Sequence, residues 1–444
     1  MSAGWEPLLT GDSAAEARRA VTVIAAELPA SLGWMPTGVP ELAWRTPLAS
    51  GHAGQALFYA YLALDGSHRK GGEGGASETA LDLLDQAIAG AARVPMNEGF
   101  YQGFTGIAWT SEHLRGRLFE EEDGGDPNLA VDELLLTALA ASPWPGEYDL
   151  LGGLVGIGIY ALERLPRPSA VACLERVVER LAERAERPAG EGARWAWFSP
   201  PEALAAHKRE RHPAGRYDLG LAHGAAGVIA LLGAACRAGV AAAEADELLR
   251  GAVPWLLERA LPASAAGLRF PLSYAPDAPF AAGRLAWCYG DLGIASALAI
   301  AGEGAGEPAW RRAAIEIAKG AAACPLADSK VVDAGLCHGA AGAGHLFHRL
   351  YRATGEETLA AAARAWLERA LAMREPGRGI AGFRSWVNSA EEPADWRDDA
   401  GFLTGAAGVG LALLAAVSPV EPEWDRAMLL SLRPPSRLSG AAAP

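Results

Sequence analysis

The sequence lacks the features that would place the chain in a membrane or on a nucleic acid. No apolar run reaches the length of a transmembrane helix without being interrupted by a charge or a glycine. Residues 1–21 contain no basic stretch followed by an apolar one, so they do not predict a secretory signal peptide. Lys and Arg number 39 against 53 Asp and Glu, a net charge of −14. This balance disfavours nucleic acids and anionic membranes as partners, because both require a basic face.

Cysteine is scarce, and its pattern predicts no disulfide framework. The chain has five cysteines, an odd number, at no disulfide-like spacing, which fits a reducing cytoplasm. Cys173 and Cys236 lie in apolar helical runs and are predicted to be core thiols, and Cys324 is predicted to be a partly buried loop thiol. Cys288 and Cys337 remain as candidates for chemistry.

Glycine is abundant and forms a repeating pattern. Among the 53 glycines are seven G-x-x-G units whose first glycines lie about 50 to 70 residues apart. Nearly all are followed by a run rich in Ala, Leu and Ile, and such self-similarity indicates a repeat architecture. The units are Gly51–Gly54, Gly103–Gly106, Gly153–Gly156, Gly224–Gly227, Gly290–Gly293, Gly339–Gly342 and Gly405–Gly408.

The segments between the units have helical periodicity of two kinds. GVIALLGAACRAGV, from Gly227, has little polar content and predicts a buried helix, whereas ALDLLDQAIAGAARV and ACLERVVERLAERAER are amphipathic and predict helices with one wet face. Alternation of the two predicts an all-α fold, an α/α toroid with seven inner and seven outer helices. An open solenoid of helix pairs is the alternative. Closure is favoured because the same ends of the inner helices must meet if the cysteines are to share a metal.

The repeats also predict the domain organisation. They run without a linker-like break, so we expect a single domain over residues 1–444 with a toroid core over about 45–430. A flexible C-terminal tail is expected over about 433–444. Loose segments are expected at 70–77 and in the acidic loop 120–126.

Two cysteines and a histidine occur in register and suggest a metal site. WCYGDLG (287–293) and LCHGAAG (336–342) each place a cysteine two residues before the first glycine of a unit. In a repeat fold, equal register predicts proximity. Cys288, Cys337 and His338 would then provide three ligands for a zinc ion and leave a fourth position open, as in catalytic rather than structural zinc sites.

Further polar residues lie near the same register. His223 directly precedes Gly224, as His338 directly precedes Gly339, so it should reach the same cavity. Asp149, Arg284 and Tyr289 are close to their units as well. Singly, such an aspartate is most often a helix cap, such an arginine solvated or paired, and such a histidine a buried core residue. Their convergence on the metal ligands favours an active-site role for His223 and leaves both interpretations open for Asp149, Arg284 and Tyr289.

Other features are left outside the predicted site. His348 is predicted to be peripheral and His113 to lie in polar surroundings. The segment 195–220 lengthens the third interval, and an excursion between repeats is favoured over a lid or recognition loop.

Six motifs together resemble one known family. They are GFTGIA, YDLLGGLVGI, GLAHGAAG, RLAWCYGDLG, GLCHGAAG and GFLTGAAGVGLALL. Over about residues 45–430 the chain resembles the lanthipeptide cyclases, the LanC-like proteins. The resemblance implies a double ring of seven inner and seven outer helices with one zinc per chain, held by Cys288, Cys337 and His338. It implies an acid/base role for His223 and active-site positions for Asp149, Arg284 and Tyr289.

The implied activity is a Michael-type addition that forms thioether rings. A zinc-dependent cyclase of this kind adds cysteine thiols of a dehydrated precursor peptide, leader plus core, to dehydroalanine or dehydrobutyrine, giving lanthionine or methyllanthionine. The chain has no room for a dehydratase, so a separate one is expected. Three alternatives stay open. The first is a LanC-like protein that adds glutathione or another thiol to dehydrated residues. The second is a non-catalytic, zinc-bearing scaffold that binds peptides. A glycan-processing toroid needs paired carboxylates in one cavity, and only Asp149 stands in register.

Overall fold

A computed structural model describes residues 5–31, 33–66, 75–119, 125–188, 192–262, 267–275, 283–388 and 393–431. The expected flexible tail, 433–444, lies outside the described residues, as do most of the two loose segments predicted around 70–77 and 120–126. The assignment of residues 1–444 to one domain therefore stays a prediction.

Helices dominate the described chain. Sixteen are present among the described residues. They are α1 (Gly11–Glu27), α2 (Glu41–Arg45), α3 (His52–Asp65), α4 (Ala76–Ala91), α5 (Phe104–Leu114), α6 (Leu129–Leu139), α7 (Leu154–Arg164), α8 (Pro168–Arg184), α9 (Ala206–Arg211), α10 (Ala225–Ala238), α11 (Ala242–Leu257), α12 (Asp291–Gly304), α13 (Pro308–Ala322), α14 (Ala340–Thr354), α15 (Glu357–Ala372) and α16 (Ala406–Val417).

Seven of the described helices form a closed inner ring. Each begins directly after the first glycine of a G-x-x-G unit, and that glycine is its N-cap. Each contacts the next one around the ring, and the last contacts the first. The predicted α/α toroid is therefore confirmed, and the open solenoid is wrong. The inner helices are α3, α5, α7, α10, α12, α14 and α16.

The remaining long helices form the outer layer. Each buries one face and leaves the other wet, as the amphipathic segments predicted. The seventh outer helix is α1, which packs on α16 and lies before the predicted core of 45–430. None of the described helices is both long and apolar enough to cross a lipid bilayer. The outer helices are α1, α4, α6, α8, α11, α13 and α15.

Two small antiparallel sheets, which the sequence pattern did not predict, decorate the toroid. The first contains β1 (Phe198–Ser199), β2 (Arg216–Asp218) and β3 (Ser273–Tyr274) in the order β1-β2-β3, with Tyr217 opposite both Phe198 and Tyr274. The second pairs β4 (Ser385–Val387) with β5 (Asp395–Arg397). The segment 195–220 thus supplies two strands and the short helix α9.

The loops before the inner helices are joined by a circle of backbone hydrogen bonds. In every loop, the carbonyl two residues before the first glycine accepts an amide of the preceding loop, at 2.7–3.3 Å. Because the circle closes, the seven loops share one register at one end of the toroid. The accepting residues are Ala49, Tyr101, Leu151, Ala222, Cys288, Cys337 and Leu403.

The segment 423–430 lies inside the inner ring. Trp424 stacks on His345 of α14, Arg426 pairs with Glu163 of α7, and the Met428 carbonyl accepts the indole of Trp287 at 2.8 Å. Residues 424–430 are all buried. A chain that touches helices on several sides of the ring fills its centre.

Two histidines that were left outside the predicted site are buried, and the peripheral placement of one of them is wrong. His113 is completely buried and lies between the ring of Trp109, at a centroid distance of 4.5 Å, and the hydroxyl of Tyr61. His348 is 1 % exposed and packs on Trp5. His113 does have polar partners, as expected, because its Nδ1 atom also lies 3.0 Å from Glu163, but all of them are buried with it. His348 is not peripheral, because Trp5 covers it.

Candidate metal centre and active site

Cys288, Cys337 and His338 come together at the end of the toroid where the loops meet. Their ligand atoms all lie within 4.8 Å of one another. The cause is the backbone circle, since the amide of Cys288 donates to the carbonyl of Cys337 at 3.3 Å and so places equivalent residues of adjacent loops side by side. The two side chains at the shared position point into one small volume.

The chemistry of these three side chains fits a zinc ion. Two sulfur donors and one imidazole are a ligand set that zinc prefers. The Nδ1 atom of His338 is buried and has no hydrogen-bond partner among the described residues, so a donor atom is left over for a metal. Hydrogen bonds from Cys337 and His338, together with the charge of Arg284, hold the pKa of Cys288 well below its ordinary value despite burial. A thiolate is the form that binds metal.

Arg284 borders the cluster. Its Nη2 atom lies 3.7 Å from the Sγ atom of Cys288, four residues further along the same loop. The guanidinium is always charged and carries several donors in a plane. It therefore places a fixed positive charge beside the sulfur atoms.

His223 and Asp149 form a hydrogen-bonded pair near the same cluster. The Nδ1 atom of His223 lies 2.6 Å from the Oδ2 atom of Asp149, whose Oδ1 accepts the amide of Gly152 at 2.9 Å. A carboxylate only accepts, so Nδ1 carries the hydrogen and Nε2 is left as the basic nitrogen. The side chain of His223 is 31 % exposed, which leaves it within reach of a substrate.

The surroundings of His223 favour its protonated form. Burial alone would lower the pKa of His223, but the hydrogen bond and charge of Asp149, with the charge of Asp218, outweigh it and raise that pKa above its ordinary 6.5. A histidine placed in this way can accept a proton at Nε2 and return it within one reaction.

Tyr289 connects the pair to the cluster. It directly follows Cys288, and its ring lies against that of His223 with 5.8 Å between the centroids. Its hydroxyl donates to the Oδ2 atom of Asp218 at 3.2 Å. The structure thus brings together all seven residues named from the sequence: Cys288, Cys337, His338, His223, Asp149, Arg284 and Tyr289.

Asp218 is the residue that sequence reasoning missed. It is 4 % exposed, accepts the guanidinium of Arg216 at 2.5 Å and lies on β2, in the segment expected to be an excursion between repeats. The sequence placed only Asp149 in register with the site, but the structure places a second carboxylate, that of Asp218, beside it. The available signal was spacing, because Asp218 precedes Gly224 by the same six residues that separate Arg284 from Gly290.

Comparisons with known proteins agree with this geometry. The family model described as "Lanthionine synthetase C-like protein" matches residues 43–429. A solved structure titled "Nisin cyclase" superposes with a TM-score of 0.70 and 18 % sequence identity, covering 93 % of this chain and 97 % of that one. At that identity the likeness shows a shared fold. No curated protein sequence matches the chain.

Proposed function

Because the chain belongs to the lanthionine synthetase C-like family, we propose that it is a zinc-dependent cyclase that forms lanthionine and methyllanthionine rings in a dehydrated precursor peptide. The observation that carries the proposal is the Cys288, Cys337 and His338 cluster beside the His223–Asp149 pair at one end of the toroid. A metal site next to a positioned acid/base group suits addition of a thiol to an activated alkene.

Cys288, Cys337 and His338 would hold the zinc, one per chain. When bound there with its fourth position open, zinc would hold the substrate sulfur as a thiolate near neutral pH. Arg284, 3.7 Å from the Sγ atom of Cys288, would keep positive charge next to these sulfur atoms.

His223 would carry the proton through the addition. Its Nε2 atom accepts the proton of the substrate cysteine as the S–H bond breaks. The sulfur then bonds to the β-carbon of dehydroalanine or dehydrobutyrine, and the alkene electrons move onto the α-carbon and its carbonyl oxygen. The protonated imidazole returns its proton to the α-carbon. No atoms are lost, so the ring has the mass of the open peptide.

Asp149 and Arg284 would serve the charged stages of this addition. Asp149 holds Nδ1 at 2.6 Å, which fixes the tautomer of His223 and favours its cationic form. The guanidinium of Arg284 would stabilise the developing enolate oxygen, because a fixed donor placed where charge develops lowers the barrier. Tyr289 would form the wall between His223 and the cluster.

The substrate would be a leader-bearing peptide supplied by another enzyme. The alkenes arise by dehydration of serine and threonine, so a dehydratase must act first, and we propose that it is a separate protein. The free thiols of Cys288 and Cys337 have to stay reduced to bind metal, which suits the cytoplasm. Binding is expected to depend partly on the leader, to be measured by titration with and without it.

The experiment uses a synthetic peptide with one cysteine and one dehydroalanine. The zinc-loaded protein should consume the thiol at constant mass and give one lanthionine diastereomer. A second peptide with alanine in place of cysteine, offered with glutathione, tests the small-thiol alternative through a gain in mass. Ring formation no faster than without protein and of mixed stereochemistry, together with no gain in mass of the second peptide, would leave only a peptide-binding scaffold.

A further inference from the structure

We propose that Asp218 is a positioning residue of this site, which fixes Tyr289 against His223 and thereby commits the tyrosine hydroxyl away from the substrate. The inference rests on the proposed function, because it concerns the proton transfer in the addition. Neither Asp218 nor a partner for the hydroxyl of Tyr289 was expected from the sequence.

In three other loops, the residue at the position of Asp218 closes a turn of its own loop. Six residues before the first glycine, Asn97, Asp333 and Asp399 each accept the amide two residues further on, at 3.1, 3.1 and 2.7 Å. Such side chains close their own loops as Asx turns. In the fourth loop the same position holds Asp218, which interacts with the amide of Gly220 and in addition accepts the hydroxyl of Tyr289 from the next loop. In the fifth loop it holds Arg284, which contacts Cys288 of its own loop.

The contacts of Asp218 hold it rigidly. Its Oδ2 atom accepts from Nη2 of Arg216 at 2.5 Å and from the hydroxyl of Tyr289 at 3.2 Å. Arg216 and Asp218 are adjacent on the same face of β2, and Arg216 is anchored further by the hydroxyl of Ser273 on β3 at 3.5 Å. The small sheet thus presents a paired carboxylate to Tyr289.

Tyr289 is confined on its other sides as well. A Cβ atom on Gly220 would lie 2.5 Å from Cδ1 of Tyr289 and 2.4 Å from the carbonyl oxygen of Cys288, so only glycine leaves room there. The opposite contact is the imidazole of His223, with ring centroids 5.8 Å apart. The hydroxyl bond to Asp218 fixes the far end of the side chain, and so holds the whole ring at its place beside His223.

The consequence concerns the proton. A tyrosine hydroxyl has one hydrogen, and here it is donated to a carboxylate. Tyr289 therefore gives no proton to the α-carbon, and the whole proton cycle runs through His223, whose ring the tyrosine holds in place. Asp218 and Tyr289 exchange no proton with the substrate.

A double-mutant cycle tests this. Asp218→Ala, Tyr289→Phe and the double variant should each lower kcat by about tenfold, with KM and zinc content little changed. Because Asp218→Ala already removes the bond to Tyr289, adding Tyr289→Phe to it should lower kcat no further. Asp218→Asn, which keeps an acceptor, should recover part of the loss. Asp246→Asn, on the exposed face of outer helix α11, is the matched control and should keep full activity.

The NMR spectrum of the His223 imidazole distinguishes a failure of the proposed cyclase function from a failure of the positioning role of Asp218. Asp218→Ala and Tyr289→Phe should shift its resonances in the same way, whether or not cyclisation is observed. A wild type that forms no ring defeats the proposed function and leaves this readout to decide the role of Asp218. Unshifted imidazole resonances, additive losses of kcat, or loss in Tyr289→Phe alone overturn the positioning role.

Discussion

At the scale of single residues, the site divides into a sulfur-rich half and an acid/base half that meet at Tyr289. The proposed metal ligands follow directly from the sequence, because a cysteine two residues before a repeated glycine lies on the backbone circle. The histidine after the second cysteine then lies beside both. The spacing shows that the two loops share a register. The hydrogen bonds of the backbone circle then bring the residues at equal positions, Cys288 and Cys337, next to each other.

His223 is expected to act without binding metal. His223→Phe should keep one zinc per chain, because Cys288, Cys337 and His338 make the cluster without it. Ring formation should slow by roughly 100-fold or more, the usual contribution of a general acid/base, and should lose its stereochemical control. Zinc analysis and chiral analysis of the lanthionine product check both parts. Loss of zinc in this variant would mean that His223 is a ligand.

The pH dependence of the reaction should report on Asp149. The neutral form of His223 accepts the thiol proton, so the rate should rise as pH passes through the raised pKa of His223, above 6.5. Asp149→Asn removes the charge that stabilises the imidazolium, so that pKa falls and the rise moves to lower pH. Rates measured across pH 5 to 9 compare the two proteins. An unmoved profile would show that another group titrates.

Asp218 shows why part of the site could not be predicted. Its spacing from Gly224 matches that of Arg284 from Gly290, but the residue type differs, and three other loops use the position for turns. Only the sheet that pairs β2 with β1 and β3 turns the carboxylate toward Tyr289. Strands of two or three residues have too little pattern to be seen in a sequence.

At the scale of elements, glycine sets where each inner helix begins. All seven predicted starts are confirmed, because a glycine N-cap allows the preceding loop to approach the backbone circle. Helix α1 was not predicted as part of the ring, although Ala17, Ala20, Val21 and Ile24 have helical spacing. Its partner, α16, lies at the other end of the chain, and the repeat pattern does not contain that pairing.

Gly290, the N-cap of α12, provides a test of whether the start of an inner helix requires glycine. Its φ is +97°, and a Cβ atom there would lie 2.0 Å from the carbonyl oxygen of Arg284. Gly290→Ala should therefore destabilise the fold by roughly 1–3 kcal/mol and weaken zinc binding, because Cys288 lies in the same turn. Denaturant unfolding and zinc titration measure both. Gly125→Ala, where nothing lies within 4 Å, is the control; equal behaviour of the two variants would contradict the expectation.

At the scale of the whole molecule, the chain after α16 closes the structure from within. Asp425 is fully buried and accepts from Nε of Arg349 and Nε2 of His345, while Arg426 joins Glu163 on the other side of the ring. The segment ends beneath the site, where the carbonyl of Met428 accepts a hydrogen bond from the indole of Trp287, the neighbour of Cys288. The segment that fills the ring therefore also packs against the loop that carries Cys288.

Asp425 should be among the most sensitive positions in the fold. Asp425→Ala removes the buried carboxylate shared by His345 and Arg349 and leaves Arg349 with Glu421 at the surface, so we expect a loss of about 3 kcal/mol, the lower end for a broken buried pair. Thermal and denaturant unfolding should show the loss. Asp246→Ala, which breaks the exposed pair with Arg250, should cost no more than about 0.5 kcal/mol. Similar losses in the two variants would show that the inner segment contributes little to stability.

X-ray absorption at the zinc edge tests most directly whether the cluster is a metal centre that takes a substrate thiol. Protein grown with zinc should contain one equivalent, with two sulfur and one nitrogen donor from the chain. Adding a cysteine-containing peptide should raise the count to three sulfur donors, and Cys288→Ala and Cys337→Ala should each lose most of the metal. Full zinc content in both variants, or an absorption spectrum that the peptide leaves unchanged, would contradict the proposed centre.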